Sequence, residues 1–246
     1  GSLGELTREV FGPVLHLLRY RRDQLDEVLA QVQATGYGLT MGLHTRIDDT
    51  IERVAAQACV GNLYINRNMV GAVVGVQPFG GEGLSGAGPK AGGPLYLYRL
   101  LASRPDAALA QPFGVQSSEA DAPDAALPVL QQWCDARGQA FVAPAPFFAR
   151  SSHVLAGPTG ESNVYKVLPR AAVLCRADSE AGLLAQLAAV LAVGSRAVWD
   201  GRDAVAGALH RALPEALRAR VTLTQDVLRA PLEAALYQGE QAGLLA

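Results

Sequence analysis

The chain has 246 residues, of which 50% are hydrophobic and only 18% are charged. This composition supplies enough apolar residues for one large core or two small ones, and it excludes an intrinsically disordered chain. The 21 Lys and Arg residues nearly balance the 23 Asp and Glu residues, giving a formal net charge of −2. A nucleic acid or an anionic membrane is therefore not expected as the main partner.

The cysteines and the longest apolar stretch point to a reduced protein without a transmembrane segment. Cys59, Cys134 and Cys175 lie far apart with no CxxC pair, which indicates free thiols in a cytoplasmic protein and no structural zinc or other metal site. Residues 181–194 are nearly apolar but fall short of the roughly 20 residues that a bilayer-spanning helix needs. They predict a buried helix.

Strand and helix patterns alternate over the first hundred residues. An apolar run at 14–18 precedes a helix that Gly36 is placed to end, and a strand at 39–44 precedes a helix from about Asp48 and a strand at 61–65. Apolar residues share one face of the first helix: Leu25, Val28, Leu29 and Val32. Two strand–helix–strand units in series predict an α/β fold with a parallel sheet covered by helices.

A loop rich in glycine follows at 69–94, and an ordered segment resumes at 95–101. A loop of this length inside a compact domain is usually functional. The next stretch is rich in Ala, Asp, Pro and Ser, as linkers are. We therefore place one domain at 1–102, a linker at 103–128 and a second unit at 129–246.

The second unit again alternates strands and helices. Helices are predicted at 127–136, 180–193 and 203–213, and strands at 139–142, 171–176, 196–199, 221–224 and 234–237. This alternation predicts a second, Rossmann-like α/β unit with a mostly parallel sheet. Because the chain opens on Gly-Ser without an initiator Met and stops just after a predicted strand, we expect a piece of a longer protein whose exposed sheet edges self-associate or bind the rest of its domain.

Residues 81–86 match the GxGxxG pattern of dinucleotide-binding loops. That pattern needs a preceding strand and a helix opening at its last glycine, whereas Pro78 and Phe79 precede it here and Pro89 follows. A loop whose glycines shape the backbone is favoured, and a phosphate-binding loop is the weaker alternative.

Three motifs, in this order, resemble the C-terminal part of the catalytic domain of aldehyde dehydrogenases: residues 9–13, the strand 61–66, and residues 77–86. The closer resemblance is to L-glutamate γ-semialdehyde (Δ1-pyrroline-5-carboxylate) dehydrogenases, through residues 66–68, 71–75 and 86–94. Within that group the chain is similar to the bacterial fusions of an FAD proline dehydrogenase with this enzyme. The resemblance covers residues 3 to about 101.

This resemblance implies a bifunctional oxidoreductase that converts proline to glutamate, with FAD in the proline dehydrogenase module outside this chain and NAD in the dehydrogenase module. It implies that Glu9 accepts hydrogen bonds from the nicotinamide ribose hydroxyls and that Phe11 packs near the nicotinamide. Gly71 and Ala72 match the loop whose N–H groups anchor the α-carboxylate of glutamate semialdehyde. Phe79 matches an aromatic residue that flanks the aldehyde chain.

The nucleophilic cysteine and the general base of this family lie upstream of the matching segment, so no catalytic residue is expected within this chain, which should be inactive by itself. Cys59 does not match the nucleophile's surroundings and is interpreted as a buried structural thiol. The roles of Cys134 and Cys175 stay open.

Residues 157–163, 168–170 and 191–195 resemble the C-terminal domain of the longer fusions, which is itself similar to the nucleotide-binding domain of aldehyde dehydrogenases. The resemblance implies a degenerate Rossmann-like domain that packs on the dehydrogenase and closes the passage of the intermediate. Residues 157–163 are interpreted as a structured turn. Two alternatives stay open: a chain with only a structural or assembly role, and an independent nucleotide-binding module.

The partners implied by the resemblance are L-glutamate γ-semialdehyde, the rest of the parent chain and further copies in a homo-oligomer. No nucleic acid is expected to contact this segment. The implied location is the cytoplasm, with the inner membrane face as an alternative for the parent.

Overall fold

The computed structural model describes residues 3–86, 88–103, 118–120, 124–141, 144, 151–240 and 243. The chain divides into two units. The N-terminal unit comprises residues 1–102 and 156–159, and the C-terminal unit comprises residues 103–155 and 160–246. Both combine helices with strands, and the α/β fold class is confirmed.

The described residues of the N-terminal unit form two α-helices and four short strands. Its elements are α1 (Leu25–Ala34), β1 (Tyr37–Gly38), β2 (Thr40–Leu43), α2 (Asp48–Gln57), β3 (Asn62–Ile65) and β4 (Glu82–Gly83), with single 3-10 turns at Leu3–Glu5, Arg22–Gln24 and Leu97–Leu100. β2 pairs with β3 in parallel, and β1 pairs with β4 in antiparallel orientation.

The β2–α2–β3 connection confirms one of the two predicted strand–helix–strand units. Leu29 of α1, Val54 of α2 and Tyr64 of β3 are buried in this unit. Outside the core, the Asp26 carboxylate of α1 forms an ion pair with Arg53 of α2. Helix α1 ends as predicted, since Gly36 adopts a positive φ of 78°.

The predicted first strand at 14–18 is wrong. The segment has no regular secondary structure, and the side chains of Leu15 and Leu17 are 82% and 86% exposed. An apolar run becomes a strand only where a neighbouring strand satisfies its backbone groups, and no strand in the described part of the chain pairs with this one.

The C-terminal unit contains a parallel sheet, a small antiparallel sheet and four helices in its described residues. Its elements are β5 (Ser118–Ala120), α3 (Ala126–Ala136), β6 (Ser151–Leu155), β7 (Asn163–Val167), β8 (Val173–Ala177), α4 (Glu180–Ala192), β9 (Ala197–Asp200), α5 (Ala204–Ala212), α6 (Glu215–Arg218), β10 (Val221–Thr224) and β11 (Ala234–Gln238). The parallel sheet has the order β10-β9-β8-β11. This is the Rossmann-like arrangement that the alternation predicts.

Helix α4 is the centre of the core of this unit. Its residues are apolar on nearly all sides, and Leu187 and Leu191 are fully buried together with Trp199 of β9. The Ser179 hydroxyl caps the helix by accepting a hydrogen bond from the Gly182 N–H at 3.1 Å. The predicted buried helix is thus confirmed, and none of the helices described has the length and apolar character needed to cross a membrane.

The antiparallel sheet β5-β6-β7 was not predicted from the sequence. The inward face of β6 carries Ser151 and His153, which are buried and joined by a 2.8 Å contact between the hydroxyl and Nε2, while Val154 is 74% exposed. This inverted pattern hides a strand from hydrophobic periodicity. The expected turn at 157–163 is confirmed as the connection from β6 to β7.

The first part of the C-terminal unit differs from the sequence-based prediction at two places. The predicted strand at 139–142 is wrong, since residues 139–141 are irregular; position 142 lies outside the described residues. Of the expected linker at 103–128, residues 104–117 and 121–123 also lie outside them, and α3 already begins at Ala126. Asp124 caps this helix through the Ala126 N–H and forms an ion pair with Arg220 beside β10.

Candidate functional site

The chain turns sharply at the carboxyl end of β3. Asn66 adopts a positive φ of 56°, and its side-chain oxygen accepts a hydrogen bond from the Thr45 N–H at 3.0 Å. Its own N–H donates to the Leu43 carbonyl oxygen at 2.8 Å. Asn tolerates the left-handed conformation better than most residues. The carboxyl ends of β2 and β3 are thereby tied together where the next loop begins.

That loop, residues 68–77, is called the anchor loop. The Asn68 side-chain oxygen accepts a hydrogen bond from the Val70 N–H at 3.3 Å, and the Gln77 side-chain oxygen accepts one from the Val73 N–H at 3.0 Å. Between them, Gly71 and Ala72 are half-buried, and their N–H groups form no hydrogen bond within the described residues. The loop therefore presents two adjacent donors, which is a typical arrangement for binding an anion.

The segment after the anchor loop is held by β3. The Asn62 side chain donates to the Pro78 carbonyl oxygen at 2.9 Å and accepts from the Gly80 N–H at 3.3 Å. Phe79 exchanges two backbone hydrogen bonds with Ala91, at 3.0 and 2.9 Å. Hydrogen bonds from Asn62 and Ala91 therefore hold the backbone that carries the half-buried Phe79 ring.

The glycines at 80–86 bring backbone segments close together. A Cβ atom on Gly81 would overlap Ser85, and one on Gly86 would overlap Gly81. The Ser85 hydroxyl also accepts a hydrogen bond from the Gly38 N–H at 3.1 Å. No helix begins within residues 84–86 or 88–94. The glycines shape the backbone, as favoured from the sequence, and the context of a phosphate-binding loop is not found in these residues.

Sequence reasoning did not predict the contact of Lys90 with the backbone of the glycine-rich segment. Its ammonium group donates to the Gly80 carbonyl oxygen at 3.4 Å. Burial lowers the pKa of Lys90, and the nearby Glu82 carboxylate acts in the opposite direction.

Glu9 and Phe11 lie on an irregular segment of the N-terminal unit. The Glu9 side chain is exposed and forms no hydrogen bond to any residue the structure describes, and Phe11 is 92% exposed. No hydrogen bond within the described ranges joins either residue to the anchor loop. The structure thus brings Gly71 and Ala72 together in one loop, with Phe79 on the adjoining segment.

Sequence reasoning did not single out Asn68 and Gln77. Asn readily bonds the backbone N–H two residues on, so a turn at Asn68 could have been found. The bond between Gln77 and Val73 depends on the folded course of the loop.

A cavity of about 560 Å³ lies beside the carboxyl end of β2 and the first turn of α2. Its lining includes Tyr20, Arg22, His44, Asp49 and Arg53. None of the site residues expected from the sequence lines it. Within the described residues, no group of three or more His, Cys, Asp or Glu side chains could hold a metal ion.

The interpretation of Cys59 as a buried thiol is wrong. Cys59 is exposed, since it follows α2 by two residues in an irregular connection, whereas Cys134 and Cys175 are buried. Burial raises the pKa of Cys175 to about 12 and also raises the pKa of Cys134. None of the three cysteines forms a disulfide bond.

We expect Cys59 alone to react rapidly with an aromatic disulfide reagent at pH 8, because the other two are buried and hold their protons. Absorbance of the released thiolate measures this. The Cys59→Ser variant should lose the fast phase, and urea should release all the remaining thiols. A fast phase that persists in Cys59→Ser would contradict the burial of Cys134 and Cys175.

In the C-terminal unit, two side chains at the carboxyl ends of the parallel strands contact neighbouring residues of the chain. β8 and β11 are neighbours although β9 and β10 lie between them in sequence, so their carboxyl ends form the switch point of the sheet. There the Gln238 side chain lies against Gly182, in the first turn of α4. At the end of β9, both oxygens of Asp200 accept hydrogen bonds from Arg202 at 3.0 Å, which lowers the pKa of that carboxyl group.

Comparison with known proteins gives consistent results. The sequence model of the aldehyde dehydrogenase family matches residues 5–104. The chain is 51% identical over 258 residues to the bifunctional protein PutA of Escherichia coli (strain K12), covering 100% of this chain and 20% of that protein. It is 47% identical over 92 residues to the 1-pyrroline-5-carboxylate dehydrogenase of Bacillus subtilis (strain 168), covering 37% of this chain and 18% of that enzyme.

A crystal structure of a mutant proline utilization A from Bradyrhizobium japonicum shares 64% sequence identity over 40% of this chain and 10% of that chain, with a TM-score of 0.39. The chain spans about a fifth of the length of the PutA relatives it matches. The resemblance expected from the motifs, to aldehyde dehydrogenases and to the proline dehydrogenase fusions, is confirmed.

Proposed function

We propose that the N-terminal unit is the last part of a dehydrogenase domain that oxidises L-glutamate γ-semialdehyde to glutamate with NAD. The longer protein would also carry an FAD-dependent proline dehydrogenase. One observation carries this proposal: the chain matches two kinds of relatives, the bifunctional PutA proteins and separate 1-pyrroline-5-carboxylate dehydrogenases, at 46–52% identity. The second kind of relative is named as a dehydrogenase of 1-pyrroline-5-carboxylate, which is the cyclised form of this aldehyde.

The anchor loop suits the α-carboxylate of this substrate. The N–H groups of Gly71 and Ala72 are adjacent donors that no described residue uses. Backbone donors bind a carboxylate without the entropy cost of ordering a long side chain. In this proposal the Phe79 ring lies along the aldehyde chain and excludes water from the reacting carbon.

Two residues of the chain are assigned to NAD, which supplies a hydride acceptor when bound. The exposed Glu9 carboxylate has no competing hydrogen bond within the described residues, so it is free to accept bonds from two ribose hydroxyls. The exposed Phe11 ring offers an apolar surface for the nicotinamide. FAD belongs to the proline dehydrogenase module, and no residue of this chain is assigned to it.

The remaining chemistry is assigned to the preceding part of the dehydrogenase domain. Oxidation of an aldehyde by this family needs a thiolate nucleophile, a base and an oxyanion hole. The exposed apolar side chains of residues 10–18 support an interaction with that part, because Phe11, Leu15 and Leu17 are each more than 80% exposed. Several large apolar side chains exposed in one short segment favour an interaction site there.

We propose that the C-terminal unit is a cover domain, which packs on the dehydrogenase, closes the passage of the intermediate and binds no nucleotide. We also propose that the longer protein is a cytoplasmic homo-oligomer. The engagement of Asp200 by Arg202, and of the first turn of α4 by Gln238, supports this role over that of a nucleotide-binding module. Measurable NAD binding to residues 103–246 would contradict it.

The test is an NAD-reduction assay with glutamate semialdehyde, comparing this chain with the full-length protein that contains it at equal concentration. We expect activity in the full-length protein and none in the chain alone. Full-length Cys59→Ser is the control and should remain active, because Cys59 has no role in the proposed site. Activity in the chain alone, lost in Cys59→Ser, would make Cys59 the nucleophile, and an inactive full-length protein would overturn the function.

A further inference from the structure

We propose that Asn68 and Gln77 are positioning residues that hold the anchor loop in the shape that binds the substrate carboxylate. This inference rests on the proposed function, because it assigns a role within the same site. It goes beyond that function by naming two side chains that need not touch the substrate and that set the preference for aldehydes with a carboxylate.

Four consecutive N–H groups of the anchor loop differ in whether they form hydrogen bonds. The outer two, from Val70 and Val73, are taken up by the side chains of Asn68 and Gln77. The inner two, from Gly71 and Ala72, are not bonded within the described part of the chain. Of these four N–H groups, the two side chains thus take up the outer pair and leave the inner pair available.

Val73 and Gln77 form a reciprocal contact. The Val73 N–H donates to the Gln77 side chain at 3.0 Å, and the Gln77 N–H donates to the Val73 carbonyl oxygen at 2.9 Å. The Val76 N–H donates to the same carbonyl oxygen at 3.0 Å. Residues 73–77 are therefore closed into a turn, which Gly75 completes with a positive φ of 79°.

The valine side chains of the anchor loop contribute little packing to its shape. Val70 and Val74 are 93% and 97% exposed, and Val73 is 47% exposed. A loop with so little buried surface keeps its shape mainly through its hydrogen bonds. Loss of either side-chain acceptor should let the Gly71 and Ala72 donors change direction, which weakens anion binding.

The uncharged amide of Gln77 suits a site that binds an anion. A glutamate there could accept the same bond from the Val73 N–H, but it would add a negative charge beside a site for a carboxylate. Gln77→Glu therefore tests charge, and Gln77→Leu tests the hydrogen bond.

The experiment is steady-state kinetics of the full-length protein with glutamate semialdehyde and with butanal, which has no carboxylate. For Gln77→Leu and Asn68→Ala we expect kcat/KM for the semialdehyde to fall about 10-fold, mainly through KM, with the butanal values unchanged. Gln77→Glu should also raise KM for the semialdehyde alone. The matched control is Gln31→Leu, which removes an exposed amide on α1 that bonds Glu27.

A second measurement does not depend on activity. Amide hydrogen exchange in this chain should be faster at Val73 in Gln77→Leu than in the unmodified protein or in Gln31→Leu. Unchanged exchange at Val73, or an equal loss with both aldehydes, would overturn the positioning role alone. A full-length protein that oxidises butanal but not the semialdehyde would overturn the proposed function and this inference with it.

Discussion

Gly61→Ala is expected to destabilise the N-terminal unit by at least about 3 kcal/mol. A Cβ atom on Gly61 would overlap the carbonyl oxygen of Gly80 and crowd the Cα atom of Gly81. These are backbone atoms, so no side-chain rotation can relieve the overlap. The segment that Asn62 holds against β3 would have to move away, and the position of Phe79 with it.

Amide hydrogen exchange is the measurement for this variant, because both tryptophans, Trp133 and Trp199, belong to the C-terminal unit. Protection should fall at residues 62–65 and 79–82. The control is Gly71→Ala, whose added methyl group would meet no atom within 4 Å. Protection in Gly61→Ala equal to that of the control would contradict the close approach of the two segments.

Helices and the strands beside them could be predicted wherever one face was apolar. α2 and β3 follow that rule, and so does α4, whose continuous apolar surface indicates burial on several sides. The run at 14–18 shows the limit of this reasoning, since an apolar pattern does not reveal whether a partner strand exists. β6 shows the converse, because its buried face is carried by Ser151 and His153.

The candidate site was predicted from motifs, and the structure adds what motifs do not contain. Gly71, Ala72 and Phe79 were identified through resemblance, but nothing in their residue types says which N–H groups stay free. That depends on the side chains of Asn68 and Gln77, which bond to backbone groups two and four residues away. Hydrogen bonds of this kind depend on loop conformation and leave no periodic signal in the sequence.

Leu187→Ala is expected to lower the free energy of unfolding of the C-terminal unit by about 2–5 kcal/mol. Leu187 is fully buried in α4, in the cluster that also contains Trp199 and Leu191, so truncation leaves a cavity there. Urea unfolding followed by tryptophan fluorescence measures the effect in this unit, where both tryptophans lie.

The matched control is Leu228→Ala, because Leu228 is 99% exposed and its truncation removes no buried contact. The two variants lose the same atoms, so the difference between their midpoints isolates burial from side-chain chemistry.

In the full-length protein, Leu187→Ala also tests the cover role. If the C-terminal unit closes a passage for the intermediate, loosening it should release semialdehyde to solution during proline oxidation while the dehydrogenase keeps its activity on added semialdehyde. Equal release from both variants would contradict a cover role.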